Sequence, residues 1–239
     1  MSSEQELLDA AFLPLGVSAQ PRRTLARHYR GTLGGHPLEI YCTREVRRSS
    51  TGTTPSYQGH LLEISVSAPL RTRLVYGTSS ELASWINRRF KLQPVDVPPP
   101  GFGDYRLFAL DERWARDFLG DREIEAALRV VLADDEHFGL FSVQVRPQAL
   151  ALLLRTDLAN LTPDHVRRWV EASSVMADIA TRLHPPSKLV QASGWEKWSQ
   201  SNRHLMPWVG AGAFLLVIAA LGLVASGCCL AALLLQNLA

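Results

Sequence analysis

The chain has 239 residues, 46% of them apolar and 20% charged, with 16 Gly, 14 Pro and three Cys. That composition excludes collagen-like, wholly disordered, disulfide-stapled and multi-pass membrane proteins, and the length allows one or two domains. The charges are unevenly spread: no Asp, Glu, Lys or Arg occurs from Leu205 to Ala239, so the preceding residues carry all 25 basic and 23 acidic side chains.

Residues 1–24 read as a leader broken by Pro14, Gly16 and Pro21. It has acidic residues where a secretory signal has basic ones, so it is not expected to be one. A soluble domain is expected over residues 25–187. Residues 25–31 alternate in character, Thr32-Leu33-Gly34-Gly35 supplies a turn, and residues 37–43 alternate again, the pattern of a β-hairpin. A polar loop at 47–58 separates this hairpin from strands predicted at 61–67 and 70–76. Ser79 or Ser80 can cap a short helix through Trp85 and Ile86 to Phe90. Pro94, Pro98, Pro99, Pro100, Gly101 and Gly103 then form a linker near 91–104, where a break between two subdomains is possible.

After the linker, residues 105–110 read as a strand. Asp111 caps a helix carrying Trp114 and Phe118, Gly120 ends it, and Asp121 caps the next, with Ile124, Ala127, Leu128 and Val131 at helical spacing. Strands follow at 138–145 and 149–154 around an Arg146-Pro147-Gln148 turn. Thr162 and Pro163 start a long helix reaching about Leu183, and Pro185-Pro186 stops it. The order predicts an α+β fold, a largely antiparallel sheet with packed helices, followed by one C-terminal transmembrane helix.

That span is placed at 207–236, after a juxtamembrane interfacial segment at 188–206. The 28 residues from Trp208 to Leu235 contain nothing more polar than Ser226. At ~1.5 Å per residue they would reach ~42 Å, against ~30 Å of hydrocarbon. Trp195, Trp198 and Trp208 suit the headgroup zone, with Lys197 and Arg203 beside them. Basic residues before the span predict a tail-anchored, single-pass protein of the inner membrane with its N-terminal domain in the cytoplasm. Gly222 and Ser226 form a small-xxx-small pair on a stripe with Ala219 and Cys229, where a second helix could pack, so a homo-oligomer is possible. Cys42 is the one cysteine of the soluble part, consistent with a reducing compartment.

The hairpin RGTLGGHPLEIY (30–41), the strand LLEISV (61–66), and YRLFALDERWARDFL (105–119) leading to LFSVQV (140–145) resemble an uncharacterised family of bacterial membrane-associated proteins. The likeness covers roughly residues 25–184 and rests on element order and hydrophobic pattern. In that family the membrane helices usually precede the soluble domain, whereas here the anchor follows it. The resemblance carries no catalytic residue over.

Little in the chain points to chemistry. It carries no phosphate-binding loop, HExxH, GxSxG or post-strand GxGxxG, and no paired CxxC. His28, His36 and His60 fall in or beside predicted strands with Cys42 near, where a metal site or an unrecognised enzyme would first be sought; exposed β-residues are the plainer reading. Asp134, Asp135 and Glu136 before His137 are contiguous, unlike the alternating ligands of a calcium loop. No cofactor is expected. Residues 21–90 hold 11 Arg against four acids, net +7, and residues 91–187 are net −4. Contact of the basic half with anionic lipid, an interface between the halves, and plain solvation all remain open; nucleic acid is not expected, as aromatics are sparse and no binding motif is present. The expectation is a membrane-anchored interaction module, binding membrane lipid or a protein partner in the membrane or at its cytoplasmic face. The alternative is a membrane-bound enzyme of unrecognised type.

Overall fold

The computed structural model describes residues 3–21, 27–48, 55–78, 90–96, 105–132 and 138–194. The chain divides into two compact units, Met1–Ala192 and Ser193–Ala239. Almost all of the second lies outside the described residues, and with it Trp195, Lys197, Trp198, Arg203, Trp208, Gly222, Ser226 and the span expected at 207–236. The helix expected from Ser79 or Ser80 to Phe90 lies outside them too except for Phe90 itself, as does the acidic run at 134–136. Among the described residues no helix is long and apolar enough to cross a membrane.

The first unit is α+β, with a large antiparallel sheet. Its nine described strands are β1 (Ser18–Ala19), β2 (Arg27–Leu33), β3 (His36–Arg48), β4 (Pro55–Ser67), β5 (Leu74–Thr78), β6 (Gln93–Val95), β7 (Tyr105–Ala109), β8 (Phe138–Arg146) and β9 (Ala149–Thr156). They lie in the order β1-β2-β3-β4-β9-β8-β5-β7-β6, and every pairing is antiparallel. Strands from before and after the proline linker therefore share one sheet, and the two-subdomain alternative is not what forms. Gly34 and Gly35, at φ 58° and 84°, make the β2–β3 turn, a two-residue connection that needs positive φ at both positions.

Two strand limits differ from the sequence reading. The described residues of the expected loop at 47–58, namely 47, 48 and 55–58, belong to β3 and β4; beyond the stretch where β2 and β9 flank them, these two strands pair, among the described residues, only with each other. The expected strand at 70–76 starts only at Leu74. Before it, Ala68 and Leu70 exchange backbone hydrogen bonds with Gln148 (3.1 and 3.0 Å), which pins residues 68–70 to the β8–β9 turn instead.

Four helices are described: α1 (Glu4–Phe12), α2 (Glu112–Leu119), α3 (Arg122–Val131) and α4 (Pro163–Arg182). Alternate strand residues, Leu38, Ile40, Leu62, Ile64, Leu150, Leu152 and Leu154 among them, share one buried cluster with Trp114, Phe118, Ile124, Val170 and Met176 of the helices. One face of the sheet is thus the core face, and the helices cover it. The Asp111, Asp121 and Thr162 side chains cap α2, α3 and α4 as their positions predict.

The expected leader is instead part of the core. Ser3 and Glu6 form a reciprocal capping box at the start of α1, and Leu8, Ala11 and Phe12 are buried to within 1%. A helix with three such residues on one stripe gains too much by burial to stay outside the domain. At the other end the unit extends past residue 187. The backbone N–H and hydroxyl of Ser187 both donate to Oδ2 of Asp111, at 2.6 and 2.7 Å, and Val190 N donates to Arg71 O at 2.8 Å.

Candidate functional site

The residues that the sequence singles out for chemistry do not converge. In β2 His28 shares a register position with Tyr41, and their rings stack at 4.3 Å, on the sheet face opposite Ile40 and Cys42. His36 is on the core side at the β2–β3 turn, with Nε2 2.9 Å from Asp178 Oδ1 of α4 and Nδ1 3.2 Å from Ser67 O. His60 Nε2 lies 3.6 Å from Glu4 Oε1 of α1. Ser67 and His60 are seven residues apart along β4, ~23 Å at the usual rise, so His36, beside Ser67 at the strand's end, lies far from His60 near its middle. Among the described residues no three His, Cys, Asp or Glu could hold one metal ion. Cys42 is 2% exposed, and burial, with Glu4 nearby, pushes its thiol up to about 12. It stays protonated near neutral pH and makes a poor nucleophile.

A different group of residues does converge. Where α1 crosses the sheet edge, Gln5, Asp9, Gln20, Arg27, His28 and Tyr29 line an open cleft of about 580 Å³, with Ala19 and Pro21 as its small apolar wall. Each is delivered by a local rule. Gln5 and Asp9 are one helical turn apart on α1, so they share a face, with Gln5 Nε2 3.4 Å from Asp9 Oδ2. Tyr29 is buried on the core side of β2 with its ring edge-on to Phe12 at 4.7 Å, and its hydroxyl donates to Asp9 Oδ1 at 2.6 Å. Gln20 N donates to His28 O (2.8 Å), carrying the β1–β2 pairing to the rim.

The electrostatics of the cleft are mixed. Burial first, then the hydrogen bond and charge of Asp9, raise the Tyr29 phenol well above its ordinary value, while Arg27 acts against them. Tyr29 therefore remains a donor and keeps the Asp9 carboxylate fixed toward the opening. The Nε of Arg27 is buried with no hydrogen-bond partner. No ion pair joins Arg27 to Asp9. A cation and an anion thus line one cleft with no direct ion pair between them.

Sequence reasoning misses this site because Asp9 lies in the segment that reads as a leader, 20 residues from Tyr29. The Ser3-x-x-Glu6 capping box is the signal that places α1 in the fold. Comparison with known proteins adds no relative: no protein-family model matches the chain, and no curated protein does.

Proposed function

We propose that this protein is a membrane-anchored interaction module, an α+β domain held at the cytoplasmic face of the inner membrane by one C-terminal helix. The observation that carries the reading is the charge-free run from Trp208 to Leu235, set beside a first unit whose described part closes its own core. A tether raises the local concentration of the domain near lipid headgroups or a membrane partner, so modest intrinsic affinity suffices. Trp195, Trp198, Trp208, Lys197 and Arg203 would sit at the interface, and Gly222 with Ser226 would offer a packing stripe to a second copy.

Fractionation of lysed cells tests this. The full-length chain is expected in the membrane pellet, resistant to alkaline carbonate and released by detergent, with a reporter fused at residue 1 active only in the cytoplasm. Recovery in the soluble fraction, or an external reporter, would overturn it.

A further inference from the structure

We propose that the cleft between α1 and the β1–β2 edge binds a small zwitterion, an α-amino acid or a short peptide, with its carboxylate on Arg27 and its ammonium on Asp9. This is independent of the membrane reading.

Three observations converge on that class. The first is the pair of opposite charges lining one opening without an ion pair between them. A simple anion would meet Arg27 but be repelled by Asp9, and a simple cation would meet the reverse; a molecule carrying both charges satisfies both sides. The second is the Arg27 side chain, which lines the cleft with its Nε sealed from solvent, so a carboxylate there would be met by the charge and the outer N–H groups of the guanidinium. The third is the fixing of Asp9. With Oδ1 held by Tyr29 at 2.6 Å and Gln5 at 3.4 Å from Oδ2, the carboxylate is oriented before a ligand arrives, and its remaining lone pairs suit an ammonium group.

Size and lining narrow the class. About 580 Å³ falls within the range of small-molecule sites, and the cleft is open to solvent, which suits a polar ligand better than an apolar one. Ala19 and Pro21 leave room for a short side chain, while the Gln5 and Gln20 amides could bond a peptide group.

The test uses the full-length chain in detergent micelles with four probes followed by ligand-observed NMR and calorimetry. L-Alanine and L-alanyl-L-alanine carry both charges; L-alaninamide lacks the carboxylate, and N-acetyl-L-alanine lacks the ammonium. Saturable binding of at least one zwitterion is expected, at least tenfold tighter than that of either blocked analogue. Which of the two binds better separates a free amino acid from a peptide as the source. Arg27→Gln and Asp9→Asn are each expected to weaken that binding at least tenfold. The side-chain amide that Asp9→Asn introduces would still accept from the Tyr29 hydroxyl, so thermal melting should be preserved. If one variant fails to fold, the other and the blocked analogues still decide the matter. Neither zwitterion binding below about 10 mM, blocked analogues binding equally well, or folded variants binding as the parent does would each overturn the proposal.

Discussion

The two faces of the sheet are drawn from the same strands but held by different physics. On the core face Leu38, Ile40 and Cys42 of β3, Leu62, Ile64 and Val66 of β4, Leu140, Val143 and Val145 of β8 and Leu150, Leu152 and Leu154 of β9 form apolar rows, and the four described helices close over them. On the opposite face a small apolar cluster of Phe141, Ala151, Leu153 and Leu61 is set among polar side chains. There Arg146 bonds Glu63 at 2.9 Å and also Gln144, Gln144 bonds Ser142 at 3.0 Å, and Glu39 receives Arg30 at 2.6 Å and Tyr41 at 2.9 Å. Burial is non-directional and scales with area, whereas these bonds are directional and partly screened. The core face should therefore carry stability, and the opposite face should fix strand register.

Adjacent residues of β4 give the sharpest way to break that contrast. Ile64 is fully buried on the core face, and its neighbour Ser65 points the other way. Ile64→Ala is expected to cost about 2–5 kcal/mol, the usual range for a buried aliphatic truncation, and Ser65→Ala under about 0.5 kcal/mol. Urea unfolding followed by circular dichroism measures both; similar losses at the two sites would remove the asymmetry.

Gly77 tests the same contrast where β5 meets β8. The register of β8 shifts between Leu140 and Ser142 opposite β9, and a Cβ on Gly77 would lie 2.6 Å from Ser142 Cβ and 2.7 Å from Phe141 O. Backbone cannot yield cheaply there, so Gly77→Ala should cost about 1–3 kcal/mol by overpacking, with little change in urea m-value. A neutral outcome would mean that the β5–β8 pairing gives way more easily than these distances imply.

Asp111 joins a helix start to the end of the unit. Burial works to raise its carboxyl, but the hydrogen bonds from Ser187 and from the backbone N–H groups of Trp114, Ser187 and Arg113 outweigh it and hold the group below its ordinary value. A carboxyl depressed in the folded state adds stability that is complete above its unfolded value of about 3.9 and lost as pH falls through the folded one. The parent should thus lose part of its margin below about pH 4. Asp111→Ala, losing a helix cap and leaving Ser187 N unpaired, should cost about 1–3 kcal/mol at neutral pH and flatten that acid limb. Denaturation midpoints at pH 7 and pH 3 check both.

How much of this is legible in the sequence depends on the range of the interaction. α2, α3 and α4 announce themselves through Asp111, Asp121 and Thr162, because a cap and its N–H groups lie within three residues. The Gly34-Gly35 turn is equally local. The strand order is not: β4 is followed in the chain by β5 but lies beside β9, a choice made by how Leu62, Ile64 and Leu152 pack under α4 rather than by any nearby residue. Residues 47, 48 and 55–58 read as loop because the Ser, Thr and Gly of the sequence between them suit turns, while the cross-strand pairing there is invisible to composition. The cleft escapes for the same reason as the order, since Arg27 and Asp9 come to line one opening only after α1 has docked. Nearness in sequence groups His28, His36 and His60, yet strand alternation sends His28 to the opposite face.

The smallest expected effects compare two arginines on the face away from the helices. Arg30 and Glu39 have side chains 58% and 29% exposed, so solvent and salt screen their pairing; Arg146 and Glu63, at 24% and 14%, are more sheltered. Arg30→Ala should cost about 0.2–1 kcal/mol and less in high salt. Arg146→Ala removes bonds to both Glu63 and Gln144 and should cost about 1–2 kcal/mol, with a weaker salt dependence. Unfolding in roughly 0.05 M and 1 M NaCl separates the two, because screening shortens about threefold or more between such conditions. An Arg30 loss as large and as salt-resistant as that of Arg146 would show that the far face is as shielded from water as the core face.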